Sequence, residues 1–137
     1  MARQFVVQLE NHPGELAHLA HAFAARGLDL HHVACVGAGP LQCMFVTTSD
    51  DDAARRVLLG LGRLFIEGEP ILVEVEDHPG GLAAVTDKLA GAGINICGML
   101  PVGRRGSVVE MAFCVDDDKR AREVLGLDEA SLVGVSS

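Results

Sequence analysis

An α+β fold built twice is what this sequence predicts: two βαββαβ repeats, each an antiparallel sheet with both helices on one face. Three observations predict it. The chain repeats itself at an offset of 66 residues. Within each copy, apolar residues alternate two by two, then recur at helical spacing, then alternate again. Pro-Gly steps and single glycines punctuate both copies at matching positions.

The repeat is the strongest of the three. Residues 3–30 align with residues 69–96, and nine of these 28 positions are identical: Val7/Val73, Glu10/Glu76, His12/His78, Pro13/Pro79, Gly14/Gly80, Leu16/Leu82, Ala17/Ala83, Ala24/Ala90 and Gly27/Gly93. Self-similarity at a fixed offset speaks to architecture before any single motif does. It divides the chain into a first domain, 1–68, and a second, 69–137.

Phe5, Val7 and Leu9 alternate with polar residues, as do Ile71, Val73 and Val75, so each copy opens on a strand with one face in a core. Pro13-Gly14 and Pro79-Gly80 then open a helix, proline being suited to a first turn. Leu16, Leu19 and Phe23 share one helix face; Leu82, Val85 and Leu89 are their equivalents. Gly27 and Gly93 end these helices. Strands come next at 28–36 and 94–102, with glycine-containing turns at 37–40 and 103–106 leading into strands at 41–48 and 107–115. The aspartate runs 50–52 and 116–118 precede a second helix, where carboxylates complement the helix dipole. A last strand is expected near 63–67 and 131–135. This order gives the ferredoxin-like architecture. The sheet face away from the helices is also expected to be apolar, with Val33, Cys35, Met44 and Val46 in one copy and Cys97, Met99 and Ala112 in the other. Such a face calls for a partner, and a homo-oligomer, at least a dimer, is expected.

Composition narrows the function classes. The net charge is −8, from 11 basic and 19 acidic residues in 137, and the basic pairs Arg104–Arg105 and Lys119–Arg120 are isolated. Nucleic-acid binding and attachment to an anionic membrane are therefore not expected. Glu10 interrupts the N-terminal apolar stretch too early for a signal sequence, which points to a cytoplasmic protein. The four cysteines show no C-x-x-C spacing and read as reduced, buried thiols rather than a redox dithiol or zinc site. His18 and His21 read as solvated. His31 and His32, alternating along a strand, cannot chelate together, so no metal site is expected. No cofactor motif is present, and nothing resembles a Ser-His-Asp or Cys-His arrangement, a phosphate loop with its lysine, or H-E-x-x-H. The chain is not expected to be an enzyme.

Asn11-His12-Pro13-Gly14-Glu15-Leu16 and Asp77-His78-Pro79-Gly80-Gly81-Leu82, each leading into a helix and then Gly-Leu-Asp-Leu (27–30) or Gly-Ile-Asn-Ile (93–96), resemble the ACT-domain family. The resemblance covers about residues 3–135 and is greatest to tandem ACT proteins without a catalytic domain. It implies a regulatory protein that binds an amino acid or similar small effector and acts on an enzyme not identified by the sequence. It also implies side-by-side pairing of modules, with the ligand held where the first loop of one module meets the second strand of its neighbour. Carried onto this sequence, the site residues are Asn11, His12, Pro13, Gly14, Leu16, Asp77, His78, Gly80, Gly81 and Leu82 from the loops, with Asp29, Leu30, Asn95 and Ile96 from the strands.

Physical chemistry supports those loops independently. A helix start offers unpaired N–H groups and a positive dipole end to a carboxylate, and glycine lets the ligand come close. Asn11 and Asp77 also suit the role of helix caps. The expected pairing sets Asn11 against Asn95 and Asp77 against Asp29, so the first site is expected to bind a neutral amino acid more tightly than the second. Gly80→Val is expected to block binding while leaving the fold intact. The alternative to a ligand-binding function is an interaction module of the same fold acting on a partner enzyme without a small ligand.

Overall fold

Phe5, Val7 and Leu9 are buried and their neighbours Gln8 and Glu10 exposed, which makes β1 (Gln4–Glu10) a strand with one face in the core. The computed structural model describes residues 3–127, and these form two units divided between Gly68 and Glu69. The first unit continues with α1 (Glu15–Ala24), β2 (Leu30–Ala38), β3 (Leu41–Thr48), α2 (Asp51–Gly60) and β4 (Phe65–Gly68). Its strands lie in the order β2-β3-β1-β4, every neighbour antiparallel. The second unit repeats the plan with β5 (Ile71–Glu76), α3 (Gly81–Gly91), β6 (Ile96–Arg105), β7 (Val108–Val115) and α4 (Asp118–Leu125), its described strands ordered β5-β7-β6. The strand expected at 131–135 lies outside the described residues.

Helix ends obey local chemistry. Asp50 and Asp117 are the N-caps of α2 and α4, their carboxylates accepting from the amides of Ala53 at 3.2 Å and Arg120 at 3.0 Å. The aspartate runs thus serve the helix starts. Past α1, Gly27 takes φ +68°; its amide donates to Ala24 O, and the Leu28 amide donates to Phe23 O. Gly93 closes α3 in the same way. Both are left-handed terminations that satisfy the last carbonyls.

Leu19 and Phe23 of α1, with Ala54 and Leu58 of α2, close over Phe5, Val7, Met44 and Val46. In the second unit Leu89 and Ala121 close over Ile71, Val73, Val75 and Phe113. Each large side chain removed from water contributes about 1.5–3 kcal/mol.

The register corrects the expected outer face. Phe5 lies opposite Val46 and Val7 opposite Met44, so Met44 and Val46 share the helix-facing side with β1. Cys35, opposite Met44, joins them, and Met99, opposite Phe113, does likewise in the second unit. For Cys35 and Met99 the reason is a pair of bulges, in β2 between His31 and Ala34 and in β6 between Ile96 and Gly98; Met44 and Val46 lie on β3, which pairs with β1 in unbroken register. Each adds a residue and reverses the facing of the strand beyond it. Across the outer face of the first unit runs instead the row Ala34, Phe45, Val6, Ile66. Ala112 does lie on the outer face, in a row with Leu72 and Leu100. The cysteines also differ from expectation: Cys35, Cys43 and Cys97 are exposed and Cys114 is half-buried. No described helix is long and apolar enough to cross a membrane.

Candidate functional site

Each unit turns from its first strand into its first helix through a loop of one geometry. Gly14 and Gly80 stand at the N-cap with φ +92° and +87°, a backbone that side chains other than glycine adopt at a cost. The helices therefore start one residue after the glycine, and the prolines sit in the preceding turn rather than in the first helical turn. No side chain caps either helix. Among the described residues the amides of Leu16 and Ala17, and of Leu82 and Ala83, have no protein partner. These are donors that a carboxylate would satisfy. Leu16 and Leu82 stand beside them, 41% and 39% exposed.

Asn11 and Asp77, expected as caps, are turned to the hairpin instead. The Asn11 amide group donates to Gly39 O at 2.8 Å and accepts from Gln42 Nε2 at 2.8 Å. Asp77 Oδ2 accepts from Arg104 Nη1 at 2.9 Å. That ion pair overturns the premise that Asp77 presents an uncompensated carboxylate. Arg104 is a site residue that the sequence did not single out. A signal for it exists, because the hairpin turn that precedes Ser107 brings Arg104 back beside the loop, where the Asp77 amide donates to Ser107 O at 2.8 Å.

His12 lies among acceptors. One ring nitrogen faces Pro13 O at 3.1 Å; the other faces Glu10 Oε2 at 2.9 Å and Glu15 Oε1 at 3.2 Å. Both nitrogens serve best as donors, and the Pro13 carbonyl, with Glu10 next, raises the imidazole above its ordinary value. Glu10, His12 and Glu15 hold ligand-type atoms within 4.8 Å of one another, and Arg63 reaches Glu15 Oε2 at 2.6 Å. The arginine already supplies a positive charge, so the group reads as an ion-pair network. His78 keeps only the carbonyl contact, to Pro79 O at 2.9 Å; Gly81 stands where the first unit has Glu15, and Glu76 makes no bond to the ring. Gly81 cannot be larger: a Cβ there would meet Glu76 O at 2.0 Å.

In the second unit the loop borders a cavity of about 170 Å³ lined by Val75, Glu76, Asp77, His78, Leu82, Val109 and Met111. Its wall is mostly apolar, and Asp77, which pairs with Arg104, is among its polar lining residues. A second cavity, about 250 Å³, lies between α1 and α2 near Arg26 and Arg56, away from the loops.

The strand residues stand elsewhere. Leu30 is opposite Thr48 and Ile96 opposite Val115, at the far end of each sheet from the loops. Leu30 and Ile96 pack against their own cores. Asp29 Oδ2 bonds His31 at 3.1 Å, and the Asn95 side chain reaches Cys97 Sγ at 3.8 Å. Within one unit, then, the loop residues and the strand residues do not meet. His32, at φ +46° in the bulge, turns to Thr47 Oγ1 at 3.3 Å. The Gly80→Val expectation also changes, since a β-branched residue at φ +87° strains the fold.

No family model matches the sequence, and no curated protein matches it. Solved structures do match in fold. A protein from Bacteroides thetaiotaomicron superposes with a TM-score of 0.70 at 22% identity, over 91% of this chain and 86% of that one. The regulatory subunit of aspartate kinase from Thermus thermophilus, in its ligand-free form, gives 0.60 at 18% identity over 91% of each chain. That from Thermus flavus gives 0.63 at 15% identity over 100% of this chain and 95% of that one. The chain thus has the fold of these regulatory subunits, two ferredoxin-like units in tandem, as the ACT resemblance of its duplicated motif implies.

Proposed function

We propose that the chain is a regulatory protein of the tandem ACT type that binds a free amino acid at its first loops and carries out no reaction. The observation that carries this is the second unit's loop: two unpartnered helix amides, an apolar cavity and one ion pair, all around Gly80. An α-carboxylate would accept from the amides of Leu82 and Ala83, with Arg104 in support. An α-ammonium would take Asp77 as its acceptor. A small apolar side chain suits the wall of Val75, Val109 and Met111. Asp29, Asn95, Leu30 and Ile96 enter this reading only as strand residues that a neighbouring module would bring. The regulatory role is supported by the likeness in fold to aspartate kinase regulatory subunits.

The reading revises the expected ranking of the loops. Asn11 is already committed to Gly39 and Gln42, whereas the Asp77–Arg104 pair offers a partner to each end of a zwitterion. The second loop is therefore the better amino-acid site. A melting-temperature screen against the standard amino acids tests it, because a ligand that binds only the folded state stabilises it. A rise with one or a few amino acids, lost in Arg104→Ala and kept in Asn11→Ala, is expected. No rise with any of them would sink the reading.

A second reading has its own support. Ile66 is 55% and Val36 71% exposed on the outer face of the first sheet, a patch suited to a protein partner or a second copy. Light scattering on wild type and Ile66→Glu tests it. A dimer lost in the variant favours an interaction surface there; a monomeric wild type at high micromolar concentration argues against one.

A further inference from the structure

Cys97 and Cys114 face each other across the β6–β7 hairpin. The register sets Ile96 opposite Val115 and Gly98 opposite Cys114, which leaves Cys97 as the extra residue of the bulge, sharing Cys114 as its partner with Gly98. Opposed residues in antiparallel strands stand roughly 4.5–5.5 Å apart at Cα, inside the range of about 4.4–6.8 Å that a disulfide spans. Both side chains point away from the helices, since their neighbours Ile96 and Phe113 pack in the core. Burial pushes the Cys114 thiol up, and Cys97 is close enough to add to that shift. Cys97 is exposed and Cys114 half-buried, and both are free thiols. The other two cysteines have no such relation. Cys35 lies opposite Met44 and donates to Gln42 Oε1 at 3.3 Å, while Cys43 lies opposite Val36, on the other face of the sheet.

We propose that Cys97 and Cys114 form a reversible cross-strand disulfide, a redox-modification site on the second unit that responds to hydroperoxides. The exposed Cys97 thiolate attacks the peroxide. The O–O bond breaks, sulfur becomes a sulfenic acid, and one water leaves with hydrogen peroxide as oxidant. The Cys114 thiolate then attacks the Cys97 sulfur; the S–S bond forms, the S–O bond breaks, and a second water leaves. Two thiols lose two electrons and the peroxide gains them. A half-buried partner directly opposite makes closure faster than further oxidation of Cys97. The bond pins the bulge between Ile96 and Gly98 and clips the hairpin shut.

The test uses the full chain, reduced, freed of reductant and treated with hydrogen peroxide. Thiol counting and a non-reducing peptide digest read the outcome, in wild type and in a Cys35→Ser, Cys43→Ser double variant. The expected result is a peptide pair linking Cys97 to Cys114 in both proteins, a loss of two thiols in the double variant, and recovery with dithiothreitol. The oxidised double variant also melts at a higher temperature than its reduced form. If the digest instead finds Cys97 as sulfinic acid with Cys114 still a thiol, the inference is overturned. The same holds if Cys97 is linked only to another chain.

Discussion

Gly81 is the position where the two repeats cannot exchange residues, and Gly81→Ala tests the loop geometry directly. A Cβ at this position would stand 2.0 Å from the backbone oxygen of Glu76, against a practical floor of 3.0 Å. Neither partner is a flexible side chain. The end of β5 or the start of α3 must therefore retreat by about 1 Å, and the amides of Leu82 and Ala83 move with it. Overpacking of this kind costs about 1–3 kcal/mol, with backbone against backbone at the upper end. Replacing glycine by alanine at a compatible site has the opposite sign, a gain of about 0.4–1 kcal/mol from the unfolded chain. The net expectation is a loss of about 2 kcal/mol, or roughly 10 °C in melting temperature for a unit of this size. Gly91→Ala is the control: it lies in the same helix with nothing within 4 Å of a new Cβ, and it should hold or raise the melting temperature. Denaturant titration and thermal melting of the three proteins read the outcome. A Gly81→Ala protein as stable as Gly91→Ala would refute the close approach, and with it the placement of the loop amides.

The same loops and cores carry other expectations. The His12 imidazole should titrate above its ordinary value of 6.5 by proton NMR, and Glu10→Gln should bring it down. Because the folded-state value is the higher one, the contribution of His12 to stability is present in full below the unfolded value and fades as pH rises through the folded value. Phe23→Ala removes a fully buried ring from the first core and should cost about 3–5 kcal/mol by chemical denaturation. Gly80→Val should lower the melting temperature even without ligand, since its φ of +87° suits no β-branched residue; an unchanged melt would show that the loop can relax.

The elements are legible in the sequence because each rests on local chemistry. Alternation in Phe5, Val7 and Leu9 reads as a half-buried strand wherever it stands, and the aspartate run 50–52 reads as a helix start through the dipole it complements. Gly27 and Gly93 end their helices for a reason that involves only their own turn. Features that depend on pairing are not legible in this way. The bulges at His31–Ala34 and Ile96–Gly98 leave no local mark, yet each reverses the facing of a strand, which is why simple alternation puts Cys35 and Met99 on the wrong side; Met44 takes its side from its pairing with Val7. Arg104 meets Asp77, and Cys97 meets Cys114, only because a hairpin folds one strand back on the other. The candidate loops are legible as positions, from the duplicated His-Pro-Gly, but their electrostatics are not, since Asn11 and Asp77 spend their side chains on the hairpin.

The two copies keep their cores and differ around the loops, and that pattern bears on what they do. Core positions change conservatively, Phe5 to Ile71 and Phe23 to Leu89, whereas at the loop Glu15 becomes Gly81 and, in the hairpin, Gly37, opposite Gln42, becomes Arg104, opposite Val109. The first change deletes a carboxylate from the helix start and the second adds a cation beside it. Together they replace an ion-pair network that already satisfies itself, Glu10–His12–Glu15–Arg63, with one exposed ion pair beside a cavity, while the free helix amides are common to both loops. A ligand carboxylate approaching the first loop meets Glu15; approaching the second, it meets Arg104. Like charges a few ångströms apart at a partly exposed site cost on the order of 1 kcal/mol, and the opposite sign applies at the other loop. Exchanging the two features should therefore exchange the preference. Glu15→Gly with Gly37→Arg should confer on the first loop the amino-acid-dependent rise in melting temperature, measured in an Arg104→Ala background; a Cβ at Gly37 faces the Asn11 side chain, which can give way. If that triple variant shows no rise while wild type does, charge at the helix start is not what separates the loops.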